Sequence, residues 1–139
     1  MVPINYWAVL VAAVANMVIG SIWFGPMFSR TWMRLSGMTP EALERAKAKG
    51  MASQYLLAFV GSLLMAFVLA HAFEFASTYM KVSGYPAGIS TGFWNWLGFI
   101  VPVTLGAVLW EGKSWKYWFL NIGYYLISLV VMGMIIAVM

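Results

Sequence analysis

Few residues in this chain are equipped for chemistry. It has one histidine, four carboxylates and no cysteine. A thiolate nucleophile, a disulfide framework and a cysteine metal site are therefore all excluded. His71 and Glu74 stand three apart, which puts them on one face of a helix. Such a pair could relay protons or offer two positions of a metal site. Zinc takes three or four protein ligands, and no second histidine exists. No metal and no cofactor are expected. The sharper reading of the pair is a proton or ligand role. The plainer one is a hydrogen-bonded pair near a membrane surface. Asn16, Asn95 and Asn121 are a second set, because each sits in a long apolar run. Amides in a bilayer either tie helices together or line a polar cavity, here one around Asn16 and Asn95. Thr91, Asn95, Gly98 and Pro102 share one helix side. No Ser-His-Asp set, phosphate-binding glycine loop or paired acid is evident, so no catalytic residue is named.

The elements that must carry these groups are membrane spans. Of 139 residues, 63% are hydrophobic and 9% are charged. So small a soluble domain could not bury that much apolar side chain. Trp118 to Met139 contains no charge and reaches ~33 Å as a helix, enough for a ~30 Å hydrocarbon core. The same reading gives an all-α, four-helix transmembrane bundle forming one domain, with spans near 5–24, 51–75, 89–110 and 115–139. The first lysine or arginine, Arg30, follows the first apolar run. A signal peptide begins with a basic segment, so that run is read as a retained span. Gly25-Pro26 should end it, and Pro102 should kink the third span. Gly84, Tyr85 and Pro86 mark a loop over 76–87. Trp110 to Trp115 is a polar turn that makes the last two spans a tight hairpin.

The first connection is richer. Phe28, Trp32 and Leu35 fall on one helical face, with Arg30 and Arg34 nearly opposite. This pattern suits a short amphipathic helix in the headgroup layer, with Arg30, Trp32 and Arg34 contacting anionic lipid. Thr39-Pro40-Glu41 then reads as a helix start. Of the eight lysines and arginines, all but Lys81 fall in the first and third connections. That places these connections in the cytoplasm and both termini outside. Tyr6, Trp7, Tyr79 and Tyr85 form the outer aromatic belt, and Trp23, Trp32, Tyr55, Trp110, Trp115 and Trp118 the inner one. The net charge of +4 points to phospholipid, not to nucleic acid.

Asn5-Tyr-Trp-Ala-Val, Gly20-Ser-Ile-Trp-Phe-Gly-Pro, Trp32, Gly37-Met-Thr, Trp110-Glu-Gly-Lys-Ser-Trp and Asn121-Ile-Gly-Tyr-Tyr-Leu occur in order along the chain. With these motifs the chain resembles the bacterial membrane proteins grouped as domain of unknown function 1761, over almost its whole length. The resemblance implies a small multi-span inner-membrane protein and carries over no catalytic residue. Three functions compete. The first is association, as a homo-oligomer or an accessory subunit, suggested by Ala8, Ala12, Asn16 and Gly20 at four-residue spacing on one face; the plainer reading of that face is a helix contact within the bundle. The second is a small oligomeric transporter or channel using the intramembrane amides. The third, the weaker enzymatic alternative, acts on a lipid-like or quinone-like substrate through His71 or Glu74.

Overall fold

The computed structural model describes residues 2–139, and helix is the only regular element among them. Helix α1 (Tyr6–Ile22) runs into a π turn over Trp23–Met27; α2 (Ser29–Ser36) and α3 (Pro40–Ala48) follow. Next come α4 (Ala52–Met80), α5 (Gly84–Asn95), a π turn over Trp96–Ile100, α6 (Val101–Thr104), α7 (Gly106–Leu109) and α8 (Trp115–Val138). Four of these stretches are long and apolar enough to cross a membrane: Tyr6–Met27, Ala52–Met80, Gly84–Leu109 and Trp115–Val138. The expected all-α bundle of four spans is therefore the observed one, and the chain is a multi-span membrane protein. Outward apolar side chains agree. Leu57 is 70%, Phe99 69% and Val103 72% exposed, which water would penalise and lipid does not.

Local chemistry explains most boundaries. Asn5 Oδ1 accepts from the backbone N–H of Trp7 and Ala8, Thr39 Oγ1 from Ala42, and Ser114 Oγ from Tyr117. Each cap satisfies a donor that has no partner inside its helix. At Gly25-Pro26 the backbone leaves helical geometry, with Gly25 at φ −103° and ψ −106°. One boundary differs from expectation. The loop over 76–87 contracts to a link at 81–83, because Pro86 lies in the first turn of α5, where a missing N–H costs nothing. Lys81 (φ 55°) and Gly84 (φ 77°) supply the left-handed backbone that reverses the chain. The third span thus begins five residues earlier than expected, and Asn95 moves to about its middle. Pro102 has no N–H for the Gly98 carbonyl, and the span is broken there, with the π turn upstream and an interruption at Leu105.

Helix α8 is the centre of the bundle and packs against α1, α4 and α5. Its closest approach is to α5. A Cβ on Gly88 would lie 2.2 Å from the Gly133 carbonyl oxygen, and one on Gly92 would lie 2.4 Å from that of Leu129. The two backbones touch because Gly88 and Gly92 repeat every four residues, the small-residue spacing that drives close packing in lipid. The small face of α1 is also used within the chain. Ala8, Ala12 and Asn16 are buried, and a Cβ on Gly20 would meet Tyr124 Oη at 3.1 Å. At the end that carries α2, α3 and residues 110–114, here the basic end, Lys113 Nζ donates to the Ser36 carbonyl oxygen at 2.7 Å. This ties the third connection to the last turn of α2, where a cation suits the helix dipole.

Candidate functional site

Asn16, at the middle of the first span, collects polar groups from three helices. Its Nδ2 donates to Ser62 Oγ on α4 at 2.6 Å, and its Oδ1 accepts from Tyr124 Oη on α8 at 2.6 Å. Ser128 Oγ donates to the same Oδ1, and Ser62 Oγ donates to the Ala58 carbonyl at 2.9 Å. All four side chains are buried. No buried side-chain nitrogen or oxygen lacks a partner among the described residues. A hollow of about 390 Å³ between α1 and α4 reaches Asn16 past Gly20, Ser21 and Tyr55. The amide it reaches is already engaged on both atoms. Chemically this is a closed clamp, which holds α1, α4 and α8 in one axial register.

The other amides are elsewhere. Asn95 does not join Asn16. Its Nδ2 donates to the Thr91 carbonyl of its own helix at 2.8 Å. It lines a separate groove of about 420 Å³ between α4 and the third span, with Gly61, Leu64, Val68 and Phe99. One N–H and the whole Oδ1 of Asn95 are left for another partner. Asn121 Nδ2 donates to the Tyr117 carbonyl at 2.9 Å. It lines a third space of about 450 Å³, between α6–α7 and α8 at the basic end.

His71 and Glu74 take different directions. His71 Nδ1 donates to the Phe67 carbonyl at 2.8 Å, back along its own helix. Its ring sits between Phe67 and Phe75, with centroids 4.5 and 6.2 Å away. Glu74 lines a small hollow of about 180 Å³ with Asn5, Ala8 and Met139. Among the described residues no three His, Cys, Asp or Glu side chains gather closely enough to hold a metal ion. Of the three residues read as headgroup contacts, Arg30 and Arg34 are exposed. Trp32 is half-buried, edge-on to Phe24 at 6.1 Å, so this ring also pins α2 to the end of the first span.

Several residues that build these places are not singled out as site residues by the sequence. Ser62, Tyr124 and Ser128 close the Asn16 clamp. Trp23 Nε1 and Trp96 Nε1 donate to the Leu120 and Ile122 carbonyls of α8, at 3.2 and 2.7 Å. Two signals were available: Gly84, Gly88 and Gly92 recur every four residues, and so do Tyr117, Asn121 and Tyr125. Gly88 and Gly92 of the first lie on the contact with α8. The second marks a polar stripe along α8.

No curated protein and no solved structure matches this chain. A family model does match, over residues 7–137, and its description is "Protein of unknown function (DUF1761)". That match spans nearly every residue that builds the bundle, so the chain belongs to this family of unknown function.

Proposed function

We propose that this protein works by association, pairing with a second copy of itself through the groove between α4 and the third span. The observation that carries this reading is Asn95. Its amide lies mid-span beside Gly61, Leu64 and Phe99, with one donor and one acceptor left over. In hydrocarbon such a group gains from any partner that completes it. Two copies related by a two-fold axis complete each other, since each amide donates to the other's Oδ1. Gly61 favours the same contact, because nothing lies within 4 Å of where its Cβ would be. The small face from Ala8 to Gly20 makes its contact inside the chain and supplies no such surface.

The setting of this reading is a bacterial inner membrane, with the basic end in the cytoplasm and both termini outside. The distribution of lysine and arginine supports that orientation. Arg30 and Arg34 then meet anionic headgroups beside α2. The test is single-molecule photobleaching of labelled protein in phosphatidylglycerol–phosphatidylethanolamine vesicles at low density. Two-step bleaching is expected for the native chain and mainly one-step bleaching for Asn95→Leu, with an unchanged helix spectrum. A native chain that bleaches in one step, or an Asn95→Leu variant that pairs as well as the native chain, overturns the proposal.

A further inference from the structure

The space at the basic end has the features of a ligand site, and it is independent of the dimer groove. One wall is the polar stripe of α8. Tyr117, Asn121 and Tyr125 are spaced four apart, so they share one face. At 1.5 Å per residue they run from ~3 Å to ~15 Å below Trp115, a path from the surface towards mid-membrane. The other wall is the broken part of the third span, with Thr104, Ala107 and Trp110. Interrupted helices persist at membrane depth where the loosened backbone faces protein or a cavity instead of lipid. The volume of this open cleft, about 450 Å³, lies in the range of small-molecule sites.

The hydrogen-bond inventory narrows what could enter. Trp118 Nε1 is spent on Thr104 Oγ1 at 3.1 Å, and Thr104 Oγ1 on the Ile100 carbonyl at 2.6 Å. Asn121 has spent one N–H and keeps Oδ1 and the other N–H. The Tyr117 and Tyr125 hydroxyls add donors that can turn into the space. The walls are otherwise aromatic or small. Charge is confined to the mouth, where Glu111 lies. Lys113 Nζ is held by Ser36 and sits 5.4 Å above the Tyr117 ring. The Glu111 carboxylate and the Lys113 ammonium offset each other at the mouth, and the uncharged interior disfavours a guest of either charge. Val103, on the lining, is 72% exposed towards the lipid side, which gives a lateral entry.

We infer that this cleft binds an uncharged, lipid-soluble planar ring bearing carbonyl or hydroxyl oxygens, the chemistry of a quinone head group. The rings of Trp110, Tyr117 and Tyr125 stack on it, and Asn121 with the phenols meets its oxygens. Binding alone is inferred; no electron transfer is assigned.

The test uses the full chain in maltoside micelles with decylubiquinone as probe, read by native mass spectrometry and by quenching of tryptophan fluorescence. The native chain is expected to take up one equivalent, saturably. Asn121→Leu should weaken binding about tenfold, the loss of one hydrogen bond to the guest. Ala107→Phe, which fills the cleft and removes no polar group, should abolish it. Tyr125→Phe, the mildest change, serves if Ala107→Phe does not fold, and should weaken binding severalfold. Dodecyltrimethylammonium and decyl sulfate should not displace the probe. Non-saturable uptake overturns the inference, as does unchanged affinity in Asn121→Leu and Tyr125→Phe. Displacement by either charged amphiphile also overturns it, because the site would then be reading a headgroup charge.

Discussion

Replacing Gly88 by alanine should separate the two helices at the centre of the bundle. A Cβ there would stand 2.2 Å from the Gly133 carbonyl oxygen and 2.9 Å from Ala137 Cβ. Ordinary carbon–oxygen contacts in packed helices are ~3.3–3.6 Å, so α5 must retreat from α8 by roughly 1 Å at this level. The retreat is felt along the contact, because Gly92 rests on the Leu129 carbonyl one turn further in. Overpacking of this kind costs about 1–3 kcal/mol, and about 2 kcal/mol is expected here. Gly61→Ala is the matched control, since a Cβ there has nothing within 4 Å. It should stay within ~0.5 kcal/mol of the native chain or gain slightly from its higher helix propensity. Reversible unfolding by dodecyl sulfate titration in mixed micelles measures both, and micelles at low protein density keep the comparison on the monomer. If the two variants shift stability equally, backbone contact between α5 and α8 does not hold the bundle.

Two further substitutions test other contacts. Asn16→Leu removes the three side-chain hydrogen bonds that join it to Ser62, Tyr124 and Ser128; at ~0.6 kcal/mol each the loss is about 2 kcal/mol, read by the same titration. Adding Tyr124→Phe and Ser128→Ala should recover part of it, because these two hydroxyls lose the Asn16 Oδ1 acceptor, whereas Ser62 keeps the Ala58 carbonyl; no recovery would mean that packing, not the polar clamp, dominates. Lys113→Met cuts the bond to the Ser36 carbonyl and should raise amide exchange in α2 severalfold, the effect of about 1 kcal/mol, while leaving exchange in α4 unchanged; equal exchange in α2 would show that Phe28 and Trp32 suffice to hold it.

Local chemistry was legible in the chain itself. Long apolar runs with at most one charge marked four spans, because each must satisfy its own backbone in lipid and therefore be a helix. Thr39-Pro40 marked the start of α3, and Gly25-Pro26 the end of the first span, because caps and missing N–H groups act within one turn. The start of the third span was misplaced because Gly-Tyr-Pro reads equally as a loop or as a first helical turn; the extra turns at its start then placed Asn95 at mid-membrane. Partnerships between helices had to come from tertiary structure. In water a helix shows its buried face by apolar periodicity, but in lipid both faces are apolar and that signal vanishes. Nothing near Asn16 says that Tyr124 and Ser128 will meet it, since their approach depends on how α1 and α8 are rotated and staggered. Gly88 and Gly133 are likewise far apart in the chain and in backbone contact in the fold. The same rotation encloses the Asn16 amide between α1, α4 and α8 and leaves that of Asn95 on the groove between α4 and the third span.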